Sequence, residues 1–311
     1  MPSTRLASLT SARALSVPSC STALAFPCAL AAQLSSFLTV LLAGLLSGLL
    51  AACAATPAST PATTPAPGLV KEFAPAGTLR AAINFGNPIL ASKDTATGEI
   101  RGVSMDLARE LGRRLGLPVQ LVPFTNAGKV VEATAAAQVD IAFVAIDPVR
   151  GADIGQTPPY VIIEGAYLVK HDSPIRNNAE VDRAGVRVMV SRGSAYDLFL
   201  TRELRAAKLV HTGTSQTVVN DMLAQGIEVA AGVKQQLQMD ARRLNRDSAA
   251  VRLLDGRFMA INQAMGLPKG RDAALAYLNA FVEEMKASGF VAQALARNGI
   301  EGAAVAPAGR N

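Results

Sequence analysis

The sequence predicts an α/β protein made of two doubly wound lobes. From residue 78 to residue 146, apolar runs alternate with amphipathic segments in the order βαβαβ. The run over residues 141–146 is apolar throughout, as expected of a strand that helices cover on both faces. The same alternation starts again after Tyr160. Strands that alternate with helices in this way favour a parallel sheet in each half.

The first half begins with a predicted strand over residues 78–84 that ends in a polar, turn-rich segment. Ser104 is a candidate N-cap for the next helix, with Asp106 in its first turn, and Leu107, Leu111 and Leu115 recur every four residues on the face expected to meet the core. A second strand (119–123), a second helix (128–137) and the apolar strand at 141–146 follow.

The second half repeats this pattern with shorter elements. Its predicted strands cover residues 164–169, 186–190, 209–212, 229–232, 251–254 and 258–261. Its predicted helices cover residues 195–205, 215–225, 234–246, 272–288 and 290–297. The last two helices are amphipathic and are expected to close the body.

Composition excludes several function classes. The net charge of +6 falls to +4 without residues 1–52, which carry Arg5 and Arg13 and no acid, and the remaining 28 basic and 24 acidic residues are interspersed. A nucleic acid partner is therefore not expected. All three cysteines lie in the first 53 residues, so the predicted globular part has no disulfide or thiolate metal site. We expect no metal, no cofactor and a monomer.

The amino-terminal segment has the pattern of an export signal. Residues 37–50 form an apolar run of 14 residues, shorter than the ~20 that cross a bilayer as a helix. The following Leu50, Ala51, Ala52 and Cys53 resemble the lipobox of bacterial lipoproteins, in which the cysteine receives the lipid. This resemblance implies a signal peptide over residues 1–52 and a lipid anchor on Cys53.

A tether is predicted over residues 53–76. Prolines at 57, 61, 65 and 67 interrupt a stretch of alanine and threonine, which favours extended conformations and spans about 3.1 Å per residue. The sequence therefore predicts a globular domain held at the outer, periplasmic or extracellular, face of a membrane.

Two polar segments follow predicted strands and are candidates for ligand binding. Asp147, Pro148 and Arg150 are predicted to form a turn directly after the apolar strand, where ligands bind in open α/β sheets. The planar guanidinium of Arg150 can bind a carboxylate through two hydrogen bonds. In the second half, Gly193 and Ser194 precede a predicted helix, and their N–H groups are expected to be free to bind an anion.

Several motifs, in this order and spacing, resemble the family 3 extracellular solute-binding proteins, the receptors of ABC importers for polar amino acids. The matching segments are the strand LRAAINF, the segment GVSMDL at 102–107, VDIA at 139–142, Arg150 with Asp153 and Ile154, TPPY at 157–160, and residues 190–194. The resemblance covers about residues 77–299. It implies a periplasmic binding protein type II-like fold, in which two crossover strands join two lobes that close on a ligand.

The resemblance also implies lobe boundaries and ligand contacts. Lobe 1 would comprise residues 77–162 and 262–305, and lobe 2 residues 163–261. Arg150 would hold the ligand carboxylate from lobe 1, Ser194 with Gly193 would meet the same group from lobe 2, and Phe85, beside Asn84 in the first loop, would cover the ligand.

One departure from the family pattern affects the expected ligand. The segment 227–234 has no acid where the family places the aspartate that binds an α-ammonium group. A buried ammonium without a counter-charge costs several kcal/mol. Either Asp147 supplies the charge from the other lobe, or Lys234 faces the cleft and the ligand is anionic at both ends. The residues leave both alternatives open.

Three function classes agree with these residues. The first is capture of a small carboxylate-bearing solute for an ABC importer permease. The second is a periplasmic enzyme of the cyclohexadienyl dehydratase type, for which Asp147 or Glu164 is the candidate acid. The third is a ligand-sensing module. We favour the first because of the predicted tether and the lack of catalytic groups. We expect no catalytic residue, and His171 and His211 both lie in polar surroundings typical of solvated side chains.

Overall fold

The computed structural model describes residues 65–94 and 97–309. The predicted signal peptide, Cys53 and the first part of the predicted tether lie outside the described residues. Within the described ranges, no helix is both long and apolar enough to cross a membrane.

Short helices and strands alternate along the described chain. The strands are β1 (Leu79–Asn84), β2 (Ser92–Lys93), β3 (Ile100–Arg101), β4 (Val119–Phe124), β5 (Ala142–Ala145), β6 (Ile154–Gln156), β7 (Val161–Lys170), β8 (Arg187–Ser191), β9 (Lys208–Thr212), β10 (Val229–Val233), β11 (Val251–Leu253), β12 (Met259–Pro268) and β13 (Ala304–Val305). The helices are α1 (Pro67–Phe73), α2 (Val103–Leu115), α3 (Ala127–Ala135), α4 (Pro148–Asp153), α5 (Ala195–Glu203), α6 (Val218–Ala224), α7 (Lys234–Leu244), α8 (Asp272–Ala287) and α9 (Phe290–Arg297).

The first lobe is built on the predicted βαβαβ unit. β1 and β4 are parallel, and Ala81 of β1 forms a parallel bridge to Ile141, just before β5. β5 is buried along its whole length, as its apolar sequence predicts. Its other neighbour, β12, runs antiparallel to it, so the sheet is mixed and not entirely parallel.

The second lobe has a similar core of parallel strands. β8 pairs in parallel with β9 on one side and with β10 on the other. β7 then pairs antiparallel with β10.

Two long strands, β7 and β12, belong to both lobes. The first half of β7 pairs with the first half of β12, and the second half of β7 pairs with β10 and β11 in the second lobe. The second half of β12 pairs with β5 and β6 in the first lobe. These are the two predicted crossover strands. The fold class predicted from the sequence, two α/β lobes of the type II periplasmic binding protein kind, is confirmed.

The start of α2 differs from the prediction. Gly102, with φ +138°, precedes the first helical residue, and a Cβ atom there would lie 2.2 Å from the carbonyl oxygen of Leu90. Ser104 is therefore not the N-cap. It lies inside the helix, is buried, and its Oγ is 3.5 Å from the hydroxyl of Tyr160. The leucine face of α2 packs into the core as predicted.

Part of the predicted tether is helical. α1, which begins at Pro67, buries Phe73, whose ring makes a T-shaped contact with the Tyr277 ring on α8, with ring centroids 5.8 Å apart. Glu72 accepts a hydrogen bond from the backbone N–H of Ala274 at 3.0 Å, which satisfies a donor in the first turn of α8. The chain therefore becomes attached to the first lobe at Glu72 and Phe73, before β1 begins at Leu79.

Candidate functional site

A small cavity lies where the two lobes and the crossover strands meet. Its volume is about 30 Å³, enough for one or two water molecules, so a solute can enter only if the lobes part. Its lining includes Asn84, Phe143, Ala145 and Arg150 from the first lobe, Ser194, Tyr196, Ser215 and Val233 from the second lobe, and Ile261 and Gln263 from β12.

Arg150 reaches this cavity from α4. The predicted turn is a short helix that begins at Pro148, with Arg150 as its third residue. The Arg150 side chain is only 2% exposed, and its Nη1 donates to the carbonyl of Ala145 at 3.1 Å. Its Nη2 donates across the cleft to the carbonyl of Gly193 at 2.9 Å. Its Nε finds no acceptor among the described residues. Burial lowers the pKa of the Arg150 guanidinium to about 10, against a smaller opposing effect of Asp147.

The predicted anion site at the start of α5 is already satisfied by the chain itself. Ser194 is the N-cap, and its Oγ accepts from the N–H of Asp197 at 3.1 Å. The N–H of Gly193 donates to the Asp197 carboxylate at 2.8 Å, and the N–H of Ser194 donates to the carbonyl of Ser191 at 3.1 Å. The prediction that these two amides are free is wrong, because Asp197 takes the position expected for a bound anion. What this turn presents to Arg150 is the Gly193 carbonyl.

Asp147 does not line the cavity. Its Oδ1 accepts from the N–H of Val149 at 2.9 Å, so it is the N-cap of α4. Its Oδ2 accepts from Nη2 of Arg202 on α5 at 2.9 Å, which links the two lobes through an ion pair. Asp147 is 5% exposed, and both of its carboxylate oxygens are engaged. It is therefore poorly placed to meet an ammonium group in the cavity.

Lys234 and Glu164 form an ion cluster beside the crossover. Lys234 Nζ donates to Glu164 at 2.8 Å, and Arg257 donates to the same carboxylate at 3.1 Å. The hydrogen bond from Lys234 is the largest of the effects that lower the pKa of Glu164. Neither Lys234 nor Glu164 is among the residues that line the cavity. Lys234 and Glu164 are therefore already paired with each other.

Asn84 and Phe85, neighbours in sequence, lie on different surfaces. Asn84 lines the cavity, and its Oδ1 accepts from the N–H of Gly86 at 2.9 Å. Phe85 lines a separate open groove of about 670 Å³, together with the exposed Met239. The Phe85 carbonyl accepts from Nε2 of Gln216 in the second lobe at 3.2 Å. In this closed arrangement the Phe85 ring does not cover the cavity.

Most of the residues that line the cavity were not predicted from the sequence, among them Tyr196, Val233 and Gln263. Tyr196 is 4% exposed and its hydroxyl donates to Ser215 Oγ at 3.0 Å; burial raises the pKa of this tyrosine. Val233 ends β10 on the second-lobe side. Gln263 is 4% exposed, and its Oε1 has no donor among the described residues. A glutamine inside the apolar stretch of a crossover strand is a signal that sequence reasoning could have used.

The two histidines have different surroundings. His171 is exposed, as predicted. His211 is not simply solvated, because its Nε2 lies 2.8 Å from Asp197 Oδ1 and its side chain is 26% exposed. His211 therefore supports the carboxylate that organises the start of α5. Across residues 65–94 and 97–309, no three His, Cys, Asp or Glu side chains are grouped closely enough to hold a metal ion.

Comparison with known proteins agrees with this architecture. A family model described as bacterial extracellular solute-binding proteins, family 3, matches residues 79–299. No curated protein matches the chain.

Solved structures of similar fold include three with identities near 20%. A putative binding component of an ABC transporter from Wolinella succinogenes, complexed with lysine, is 21% identical, with 71% of this chain and 95% of that chain covered and a TM-score of 0.61. An ancestral amino acid-binding protein, a precursor of cyclohexadienyl dehydratase, is 22% identical, with coverage of 73% and 98% and a TM-score of 0.62. A solute receptor for L-cysteine from Neisseria gonorrhoeae is 20% identical, with coverage of 74% and 92% and a TM-score of 0.64.

Proposed function

Because this chain belongs to the bacterial extracellular solute-binding proteins, family 3, we propose that it captures a small carboxylate-bearing solute between its two lobes and delivers it to an ABC importer. Arg150 is the observation that carries the proposal. A guanidinium that is 2% exposed and has no carboxylate partner is unfavourable, and a bound anion would neutralise it.

The geometry of Arg150 suits a bidentate carboxylate. Elsewhere in the chain, the Nε and Nη2 edge of an arginine grips both oxygens of an acid: Arg113 holds Glu110 at 2.8 and 2.8 Å, and Arg187 holds Glu228 at 3.0 and 2.7 Å. On Arg150 the same edge has an unpartnered Nε and an Nη2 bound to one carbonyl of the opposite lobe. A ligand carboxylate that takes this edge replaces the contact with Gly193.

Capture follows from a shift between open and closed forms. When the lobes part, the hydrogen bond between Arg150 and the Gly193 carbonyl breaks and a solute can enter. The ligand then restores contacts to both lobes, so the closed form is favoured by the difference in its affinity for the two forms. This binding cycle requires no chemical step.

The dehydratase alternative lacks a positioned acid in this arrangement. Asp147 is bound to Arg202 and Val149, and Glu164 is bound to Lys234 and Arg257. Neither carboxylate lines the cavity. We therefore favour capture over catalysis, and incubation with prephenate or arogenate followed by product analysis tests this preference directly.

A ligand screen tests the capture function. Purified protein should gain thermal stability in the presence of at least one small carboxylate, because a ligand of the closed form must raise the melting temperature. Arg150→Ala should fold normally and lose the shift, with affinity at least about tenfold lower. A ligand that stabilises the wild type and Arg150→Ala equally would exclude Arg150 as its anchor. If no small carboxylate stabilises the wild type, the capture function as stated is wrong.

We also propose that the protein is a lipoprotein anchored through Cys53, with residues 1–52 removed and the extended tether ending where α1 packs on the first lobe. The pairing partners change at Gly165 on β7 and at Gln263 on β12, and these positions support proposed lobe boundaries within the two crossover strands. Cys53→Ala should move the protein from the membrane fraction to the soluble fraction. Ser59→Ala, a substitution in the tether, serves as the control and should leave the protein at the membrane.

A further inference from the structure

We infer that the captured solute is a short monocarboxylate whose second polar group is neutral, such as a 2-hydroxy acid, and is neither an α-amino acid nor a dicarboxylate. This inference rests on the proposed capture function and narrows its ligand class. It depends on the charges around the cavity and on a second buried polar group, Gln263.

The charge on the lining of the cavity is positive. Among the described residues that line it, Arg150 is the only charged side chain, and none is an Asp or a Glu. A ligand ammonium would be buried beside this cation without an acid to pair with. Desolvation and like charge both oppose that arrangement.

A second ligand carboxylate would lack a partner as well. Lys234 is the candidate cation named from the sequence, but it is bound to Glu164 at 2.8 Å. Arg202, another basic residue close to the cleft, is bound to Asp147 at 2.9 Å. The charges therefore fit a ligand with a single negative charge.

Gln263 is positioned to hydrogen-bond a neutral polar group next to the carboxylate of the ligand. It pairs with Ala145 across the antiparallel β12 and β5 strands, and Arg150 donates to the carbonyl of the same Ala145. Directly opposed residues in such a pair have Cα atoms only about 4.5–5.5 Å apart. The unpartnered Gln263 Oε1 and Arg150 Nε thus approach the cavity from neighbouring positions. A hydroxyl on the carbon next to the carboxylate can meet the carboxamide of Gln263, which accepts and donates hydrogen bonds.

Apolar side chains form part of the wall, in addition to polar ones such as Asn84, Tyr196 and Ser215. Val233, which is 5% exposed, closes the second-lobe side, and Phe143 and Ile261 add apolar surface. A small hydrocarbon substituent on the acid fits these contacts. Val233 is also the position where an introduced acid would reverse the charge preference of the cavity.

Matched ligands separate this inference from its rivals. Calorimetric titrations of the full-length protein use the pairs lactate and alanine, 2-hydroxy-3-methylbutanoate and valine, and 2-hydroxy-4-methylpentanoate and leucine, each as both enantiomers, with malate as the dicarboxylate. In at least one pair, the hydroxy acid should bind about a hundredfold tighter than its amino acid and than malate. An amino acid or malate that binds as tightly as the best hydroxy acid overturns the inference while leaving the capture function intact.

Substitutions in the wall test the mechanism of selection. Val233→Asp should gain affinity for the amino acid and lose at least about tenfold in affinity for the hydroxy acid. The control is Val233→Asn, whose side chain has nearly the shape of aspartate without its charge, and this variant should not gain amino acid binding. Gln263→Leu should bring a hydroxy acid down to the affinity of its deoxy analogue, for example lactate down to propanoate, with binding of the deoxy acid retained. A hydroxyl preference that survives in Gln263→Leu contradicts the role of Gln263. If neither lactate nor any other carboxylate in the series binds the wild type, the inference fails together with the capture function.

Discussion

Arg80 and Arg150 both belong to the first lobe, yet their guanidinium groups have different hydrogen-bond partners. Arg80 Nε and Nη2 hold the two oxygens of Asp140, each at 2.8 Å, and Nη2 also donates to the carbonyl of Ala137 at 2.9 Å. The corresponding edge of Arg150 has a single backbone carbonyl from the other lobe, and no acid of the described chain lies on it.

The difference shows which arginine serves the fold and which is available to a ligand. The Arg80 side chain is 29% exposed, and its hydrogen bond with Asp140 is the main reason that its pKa is raised. Arg150 is 2% exposed, and burial lowers its pKa. The nearby charge of Asp147 offsets only part of this effect, and no acid among the described residues forms an ion pair with Arg150. A buried cation of this kind costs stability, and such a cost is typical of a site that a ligand completes.

The largest expected effect is on folding, at Arg80. In Arg80→Met, the Asp140 carboxylate, which is 1% exposed, keeps one of its two ion pairs, the 3.2 Å contact with Arg271. Breaking a buried pair from one side costs about 3–5 kcal/mol, so the free energy of unfolding in urea should fall by that amount. Arg113→Met is the control, because its pair with Glu110 is on the surface with the arginine 71% exposed, and it should cost less than about 1 kcal/mol. Equal losses of unfolding free energy in the two variants would contradict the distinction between the buried and the exposed ion pair.

The penalty of Arg80→Met should depend on pH. Burial by itself raises the pKa of Asp140, but hydrogen bonds from Arg80 and Arg271 outweigh it and hold the pKa below its ordinary value. Such a carboxyl stabilises the fold above its unfolded pKa of about 3.9, and this contribution is lost as the pH falls through the folded pKa. The difference between wild type and Arg80→Met should be full at pH 7 and shrink as the pH falls below about 4. Urea unfolding at several pH values measures it, and a difference that grows in acid would contradict this assignment.

Substitution of Arg150 should weaken ligand binding and leave the stability of the fold unchanged or higher. Arg150→Met should leave the free energy of unfolding of the ligand-free protein unchanged or higher, because it removes a buried charge that has no acid partner. Ligand binding should weaken by about 2–5 kcal/mol, measured by calorimetry with the ligand found in the screen. A loss of more than about 2 kcal/mol in ligand-free stability would mean that Arg150 is a structural arginine like Arg80.

The smallest effect concerns the ion pair between Asp147 and Arg202, which joins the lobes. Arg202 is 42% exposed, so Arg202→Gln should change the free energy of unfolding by less than about 1 kcal/mol. Because this pair forms between lobes, its loss should favour the open form and lower ligand affinity by less than about fivefold. Small-angle X-ray scattering of the ligand-free protein should show a larger radius of gyration. Arg183→Gln is the control: it breaks a pair with Glu180 within one lobe and should leave the radius unchanged.

Prediction from sequence worked best where the signal is local. The leucine spacing predicted the buried face of α2, and the apolar run predicted β5. It was less successful for the hydrogen bonds of Gly193 and Ser194. The helix-start pattern suggested free amides, but the Gly193 N–H donates to the carboxylate of Asp197 in the first turn of α5, and the Ser194 N–H donates to the carbonyl of Ser191. An acid at that position has the same sequence pattern whether it caps its own helix or faces solvent.

The sequence by itself determined the α/β class, the order of the main strands and helices and the presence of an arginine at the end of a buried strand. Apolar periodicity and residue order carry that information, because they act over a few neighbouring residues. Only the tertiary structure decided the partners of the charged groups. Asp147 meets Arg202, 55 residues away, and Glu164 meets Lys234, 70 residues away. Such pairs form only when the lobes and crossover strands come together, and they leave Arg150 as the charged side chain that faces the cavity.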